Sequence, residues 1–209
     1  MARPAQYSAQ GILDAAAELA AHGGPTSATI TAIATKLGAP TGSIYHRFHS
    51  RDVLLAELWL QTVESFQTGF QAALTAPEPL TAGLQAALHT PRWVRAHPVP
   101  ARVLLLHHRE DFLTTTTDND HATDWPPEIS QRASAQNAGA QAAFDSFTKR
   151  LLGSTSAASK QRARYAIVEL PVAAVITHIR ANKRPPATVE TLITDAYHGV
   201  IHPHTTRER

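Results

Sequence analysis

The chain has 209 residues, with 19 Lys and Arg, 17 Asp and Glu, 12 His and no Cys. That length leaves room for one large or two small domains around a sizeable core. The absence of cysteine excludes disulfide frameworks, thiol nucleophiles and thiolate zinc sites, and it fits a cytoplasmic location. No apolar run approaches the ~20 residues that cross a bilayer, and Met1 to Tyr7 lack a signal-peptide apolar stretch. The net charge of +2 names no polyanionic partner: residues 1–60 balance to zero, 61–148 to −4 and 149–209 to +6. Alanine, at 37 residues, dominates the composition and favours helices that approach closely, so an all-α fold is expected.

In chain order, Ser8 to Ala21 reads as a first helix capped by Ser8, with Ile12, Ala16, Leu19 and Ala20 at helical spacing and Gly23-Gly24-Pro25 as its stop. A short second helix covers about Ile30 to Leu37, capped by Thr29 and ended by Gly38. A third covers Gly42 to Phe48 with Thr41 as cap, and Ile44 and Phe48 form its inward pair. A long helix follows from Asp52 to about Ala76, with Leu55, Leu58, Trp59, Val63, Phe66 and Phe70 along one stripe. Further helices are predicted at about 80–96, 99–113, 128–152, 157–183 and 187–201, and Pro171 should kink the fourth of these. Thr114 to Pro127 has no apolar period and reads as a loop.

Two short helices joined by Gly38-Ala39-Pro40-Thr41 have the spacing of a helix-turn-helix, whose second helix can enter the major groove of DNA. Gly38 supplies the positive φ of the turn. Ile33, Ala34, Leu37, Ile44 and Phe48 would pack the pair against the first helix, leaving Thr41, Ser43, Tyr45, His46 and Arg47 outward as hydrogen-bonding side chains. The competing reading of 29–48 is a helical hairpin in a bundle core.

The run from Thr29 to Leu55 resembles the DNA-binding domain of TetR-type (tetracycline-repressor-like) regulators. The shared features are Ile33-Ala34, Leu37-Gly38, Gly42-Ser43-Ile44-Tyr45-His46-Arg47-Phe48 and Asp52-Val53-Leu54-Leu55. One departure is His49, where a basic residue is common in that family. The resemblance implies a helix-turn-helix domain over 1–52 and a helical ligand-binding and dimerisation domain over 53–209. It also implies that Thr29, Thr41, Tyr45 and Arg51 hold the DNA backbone, while Thr31, Ser43, His46 and Arg47 reach base edges. Arg51→Ala should then weaken binding to every sequence and flatten its salt dependence.

In the C-terminal part, 187–201 places Val189, Leu192, Ile193, Ala196, Val200 and Ile201 on one face, beside the nearly all-apolar run Ala166 to Ile179. These helices suit either a homodimer interface or intrachain core. Residues stranded in unlike surroundings are ligand-pocket candidates: Trp93, His107, Phe112, Trp125, Phe144, Phe147, Tyr165, Glu169 and His178. Glu169, a carboxylate inside an apolar helix, needs a partner. The pair His107 and Asp111, and His202 with His204, keep a metal-binding protein or metal-dependent enzyme as an alternative, although neither group offers three ligands. The expected protein is a dimeric regulator that binds double-stranded operator DNA and answers to a small-molecule effector, with no cofactor, no metal, no catalytic site and no membrane.

Overall fold

A computed structural model of the chain describes residues 7–112 and 125–205, with side chains as far as Ile201. Ten α-helices occupy the described residues, and no strand occurs among them. They are α1 (Ala9–Gly23), α2 (Ile30–Leu37), α3 (Thr41–Tyr45), α4 (Arg51–Leu74), α5 (Pro79–Ala96), α6 (Pro98–Leu106), α7 (Pro127–Leu152), α8 (Ala157–Arg164), α9 (Leu170–Arg180) and α10 (Thr188–Thr205). The residues form two compact units, 1–63 with 102–134, and 64–101 with 135–209. The first unit holds the opening turns of α4 as well as 102–134.

In the first unit, the expected caps form at α1 and α2. Ser8 Oγ accepts from Gly11 N at 3.0 Å and Thr29 Oγ1 from Ala32 N at 3.1 Å, each satisfying an orphan helix donor. Gly24, at φ 77°, ends α1, and Gly38, at φ 60°, ends α2 in the left-handed region. The core is Ile12, Ala16 and Ala20 of α1 with Ile33, Ile44, Phe48, Leu54 and Leu55, all buried. Phe112 is fully buried, its ring 5.0 Å from that of Trp59. Arg102 Nε donates to Ala21 O at 2.8 Å, tying α6 to the end of α1.

Three expectations need correction here. The third helix begins at Thr41 with Pro40 as its cap and no side-chain bond, so Thr41 is its first residue and not the cap. It is only one turn and a half long, and Phe48 stays in register because its N–H reaches Ile44 O at 2.8 Å. The helix expected over 99–113 stops at Leu106 and is replaced at Arg109–Phe112 by a 3-10 turn. Asp111 is the reason: its Oδ2 accepts from His108 N at 2.7 Å, so Asp111 caps the new turn and does not share a helix with His107. Most of the anticipated loop at 114–127, residues 114–124, lies outside the described residues, as do the side chains of His202 and His204.

In the second unit, the helix anticipated over 157–183 is α8, a five-residue π segment (Tyr165–Glu169) and α9. The widened turn sits directly before Pro171, whose missing N–H a regular helix could not replace, and Leu170 N reaches back to Tyr165 O. Ala166, Ile167, Val175 and Ile179 face the core, whereas Tyr165 and Glu169 are exposed. Glu169 therefore lies in solvent and is not a buried carboxylate in need of a partner. On α10 the buried stripe is Val189, Ile193, Tyr197 and Ile201, at i,i+4 spacing. Leu192 leaves that stripe and is 65% exposed.

Two close approaches set the geometry of this unit. A Cβ on Gly83 of α5 would lie 2.2 Å from Tyr197 Oη and 2.9 Å from Phe147 Cζ. Tyr197 Oη donates to Leu80 O at 3.0 Å, so α5 and α10 meet on this glycine. His89 lies against Gly69, and one ring nitrogen, Nε2, is 2.9 Å from Phe66 O. Burial lowers the His89 pKa below 6.5, and the nearby His97 and Arg92 push it the same way against the Phe66 bond.

Gly83→Ala should lower the unfolding free energy by about 1–3 kcal/mol through overpacking, read from urea denaturation. For His89, the folded form binds its proton more weakly than the unfolded chain does. Its contribution is therefore present above pH 6.5 and lost as the pH falls below that value. Stability measured from pH 7 to pH 5 should decline less in His89→Leu than in the parent, and equal slopes would remove His89 as the cause.

Candidate nucleic-acid interface

The interface is built from α2, the turn after it, and α3. Burial of Ile33 and Ala34 on one side and Ile44 and Phe48 on the other holds both helices on the core through a few apolar anchors. Gly38 lets the chain reverse between them, and Tyr7 Oη donates to Gly38 O at 3.0 Å, bracing that turn from the N-terminal side. Lys36 pairs with Glu18 at 2.6 Å, linking α2 to α1 at the surface. Lys36 is thus paired with a carboxylate within the domain.

What remains outward is the expected polar set. Thr29, Thr31, Thr41, Tyr45, His46 and Arg47 are exposed and Ser43 is half-buried. Tyr45 is 52% exposed, so its ring is not consumed by packing on α1. A phenol on α3, and an imidazole and a guanidinium in the turn that follows it, can supply hydrogen bonds to phosphates and to base edges alike.

Arg51 is placed differently from the expectation. Its Nε donates to Ala28 O at 3.1 Å and its Nη2 to Pro25 O at 2.7 Å. The guanidinium therefore ties the start of α4 to the turn that precedes α2. Ser50 completes the junction, with Oγ accepting from Val53 N at 3.1 Å as the cap of α4. Neither Tyr7 nor this tie was visible in the chain pattern: both join residues more than 20 positions apart.

The nine ligand-pocket candidates fall in two groups. His107, Phe112 and Trp125 belong to the first unit, and Trp93, Phe144, Phe147, Tyr165, Glu169 and His178 to the second. In the first, Trp125 is buried with the Arg109 guanidinium 4.4 Å above its ring, and His107 lies edge-on to Phe112 at 6.3 Å. In the second, Trp93 Nε1 donates to Ser65 Oγ at 3.2 Å and its ring meets Phe66 edge-on at 5.3 Å. Phe144 and Phe147 are buried, and His178 is half-buried on α9. Tyr165 and Glu169 line a groove of about 490 Å³ with Ala158, Arg162, Gly199 and Val200. A separate surface groove of about 260 Å³ between α4 and α7 is lined by residues absent from the sequence reading, Glu64, Gln67, Thr68, Gln71 and Gln136 among them, with Glu64 and Thr68 exposed. Their i,i+3,i+4,i+7 spacing on α4 was the available signal. Among the described residues no group of three His, Asp or Glu converges as a metal site, and no helix is long and apolar enough to cross a membrane.

Two helices locked by a left-handed glycine, with a polar and solvent-facing second helix, are the arrangement of a helix-turn-helix DNA-binding domain. Residues 12–58 match the family model described as bacterial regulatory proteins, tetR family. No protein of curated function matches the sequence. Solved structures agree on the fold over nearly the whole chain. A tetR-family transcription regulator from Shewanella sp. PV-4 is 17% identical, with 93% of this chain and 96% of that one covered at a TM-score of 0.64. A transcriptional regulator from Rhodococcus sp. Rha1 is 16% identical, covering 94% and 97% at a TM-score of 0.66. The regulator FadR from Bacillus subtilis, solved in complex with stearoyl-CoA, is 14% identical, covering 93% and 98% at 0.66. Residues 12–58 thus match the tetR family model, and the chain shares the fold of solved TetR-family transcription regulators.

Arg51→Ala should destabilise the protein by roughly 1.5–3 kcal/mol, since charge-assisted bonds to two carbonyls are lost. The salt dependence of DNA binding should be unchanged. A drop of about one in the slope of log K against log salt would instead make Arg51 a phosphate ligand.

Proposed function

We propose that this protein is a TetR-family transcriptional regulator that binds a palindromic DNA operator as a homodimer and represses until a small-molecule effector releases it. The observation that carries the reading is the solvent-facing polar surface of α3 on a domain matched by the family model. Thr29, Thr41 and Tyr45 hold phosphates, and Thr31, Ser43, His46 and Arg47 reach base edges in the major groove. Arg51 acts indirectly, by fixing the start of α4.

Dimerisation uses the second unit. Tyr165 and Leu192 are the large apolar side chains of α10 and the α8–α9 run that stay exposed, and both lie on elements already packed together on their inner faces. A two-fold partner covers them and brings two recognition helices to successive turns of a palindrome. The effector binds in the second unit; a regulator of the same fold, FadR from Bacillus subtilis, was solved in complex with stearoyl-CoA. The protein acts in the cytoplasm and is not an enzyme. Asp111 accepts from the His108 backbone, so the His107 and Asp111 pair does not share one helix face.

A mobility shift on the DNA upstream of the protein's own coding sequence tests the central claim. Binding should follow a palindrome. Arg47→Ala should cost about 1–3 kcal/mol and relax the preference at one position in each half-site. Leu192→Asp should give a monomer in analytical ultracentrifugation and lose operator binding. A parent protein that sediments as a monomer at micromolar concentration would overturn the dimer.

A further inference from the structure

The helix-turn-helix contains no carboxylate. Between Glu18 and Asp52 the sequence has neither Asp nor Glu, while Lys36, Arg47 and Arg51 supply fixed positive charge and His22, His46 and His49 supply imidazoles. The fold sorts these groups. Lys36 is paired with Glu18 at 2.6 Å, and Arg51 bonds the Ala28 and Pro25 carbonyls. His22 Nδ1 lies 2.7 Å from Glu18 O. His46, Arg47 and His49 are left, all exposed in the turn between α3 and α4.

Neither imidazole of this turn has a hydrogen bond, ion pair or ring contact with the described residues. The charged and titratable groups of the surrounding elements are few. On α1, Asp14 accepts from Gln10 at 2.8 Å and Glu18 holds Lys36 of α2. On α4, Asp52 lies in the first turn beside Arg51, and Glu57 accepts from Arg132 at 2.6 Å. Tyr45 is the titratable group of α3 itself. The turn thus presents one fixed cation, Arg47, flanked by two side chains of the type whose charge changes between about pH 5 and 8.

Double-stranded DNA carries one negative charge per ~1.7 Å of its axis. An imidazole brought against it holds a proton more tightly than in the unbound protein, and the imidazolium has two N–H donors where the neutral ring has one. We propose that DNA binding by this protein is coupled to proton uptake at His46 and His49, so that its affinity for the operator responds to acidity. His49, next to the Ser50 cap of α4, donates to a phosphate as imidazolium. His46 then offers two donors to acceptors on the base edges. Linkage fixes the sign. A group that binds its proton more tightly in the complex adds its full share at low pH and loses it as the pH rises. This inference rests on the regulator reading and adds a condition to which the regulator answers.

The test is fluorescence anisotropy of the full-length protein at about pH 6 and pH 8 over a series of salt concentrations. The probes are a duplex from the DNA upstream of the protein's own coding sequence and a random-sequence duplex. The parent should bind the first duplex roughly tenfold or more tightly at the lower pH. Its slope of log K against log salt should steepen there by about 0.9 for each imidazolium engaged with phosphate. His49→Lys should bind more tightly than the parent at the higher pH and gain less on acidification. His46→Gln with His49→Gln should abolish the gain while keeping the parent's unfolding temperature at each pH, since both side chains are exposed. His89→Leu should keep the gain, which separates it from the acid sensitivity of the second unit. Equal parent affinity at the two pH values, a full gain in the double variant, or loss of the gain in His89→Leu would each overturn the coupling alone. No binding of either duplex at either pH would overturn the regulator reading, and the coupling with it.

Discussion

The tie from Arg51 to the carbonyls of Pro25 and Ala28 is the constraint on which the recognition surface depends. Those carbonyls belong to the short turn between α1 and α2, and Ala28 directly precedes the Thr29 cap. A guanidinium offers a rigid planar set of donors, so it fixes direction as well as distance. With Ser50 capping α4 one residue earlier, the start of the long helix and the start of α2 become a single mechanical piece. Displacing α4 at this end must either carry α2 with it or break charge-assisted hydrogen bonds. The apolar anchors Ile33, Ile44 and Phe48 then pass the position of α2 to α3.

Local signals were legible and long-range ones were not. Ser8 and Thr29 read as caps and act as caps, because an N-cap bond spans only three residues. Gly38 read as the turn for the same local reason, and the motif around Tyr45 pointed to the domain that the family model matches. Boundaries failed where a side chain competed with the helix. Asp111 draws its own turn out of an apolar run, and the π segment before Pro171 cannot be read from a proline alone. Arg51 shows the commonest limit. A cation beside a helix-turn-helix suggests phosphate, and only the fold reveals that two carbonyls 23 and 26 positions away accept hydrogen bonds from it. The pocket candidates were chosen as aromatic or ionic oddities among apolar neighbours, a criterion that finds core aromatics such as Phe147 and passes over a glutamine-lined face.

The first sixty residues carry no net charge, yet DNA binding does not require one if the charges are sorted by face. Glu18 is paired with Lys36, Asp14 accepts from Gln10, and Glu57 accepts from Arg132. Arg47 stands exposed on the recognition surface. Surface pairs of this kind add little stability in water. Their effect here is arrangement: the carboxylates are held by partners on α1, α2 and α7, while α3 and the turn after it present hydroxyls, an imidazole and a guanidinium.

Control by a ligand demands more than a cavity. An effector shifts DNA affinity only by the difference between its affinities for the DNA-competent and incompetent states. A ligand that hydrogen-bonds to two helices at once has a free energy that depends on their spacing at the level of hydrogen-bond lengths. Hydrogen bonds weaken steeply with distance and angle, so a polar site discriminates between helix spacings more sharply than an apolar one of the same size. A helix that starts at the Arg51 tie and continues past Glu64 to Gln71 is one hydrogen-bonded element.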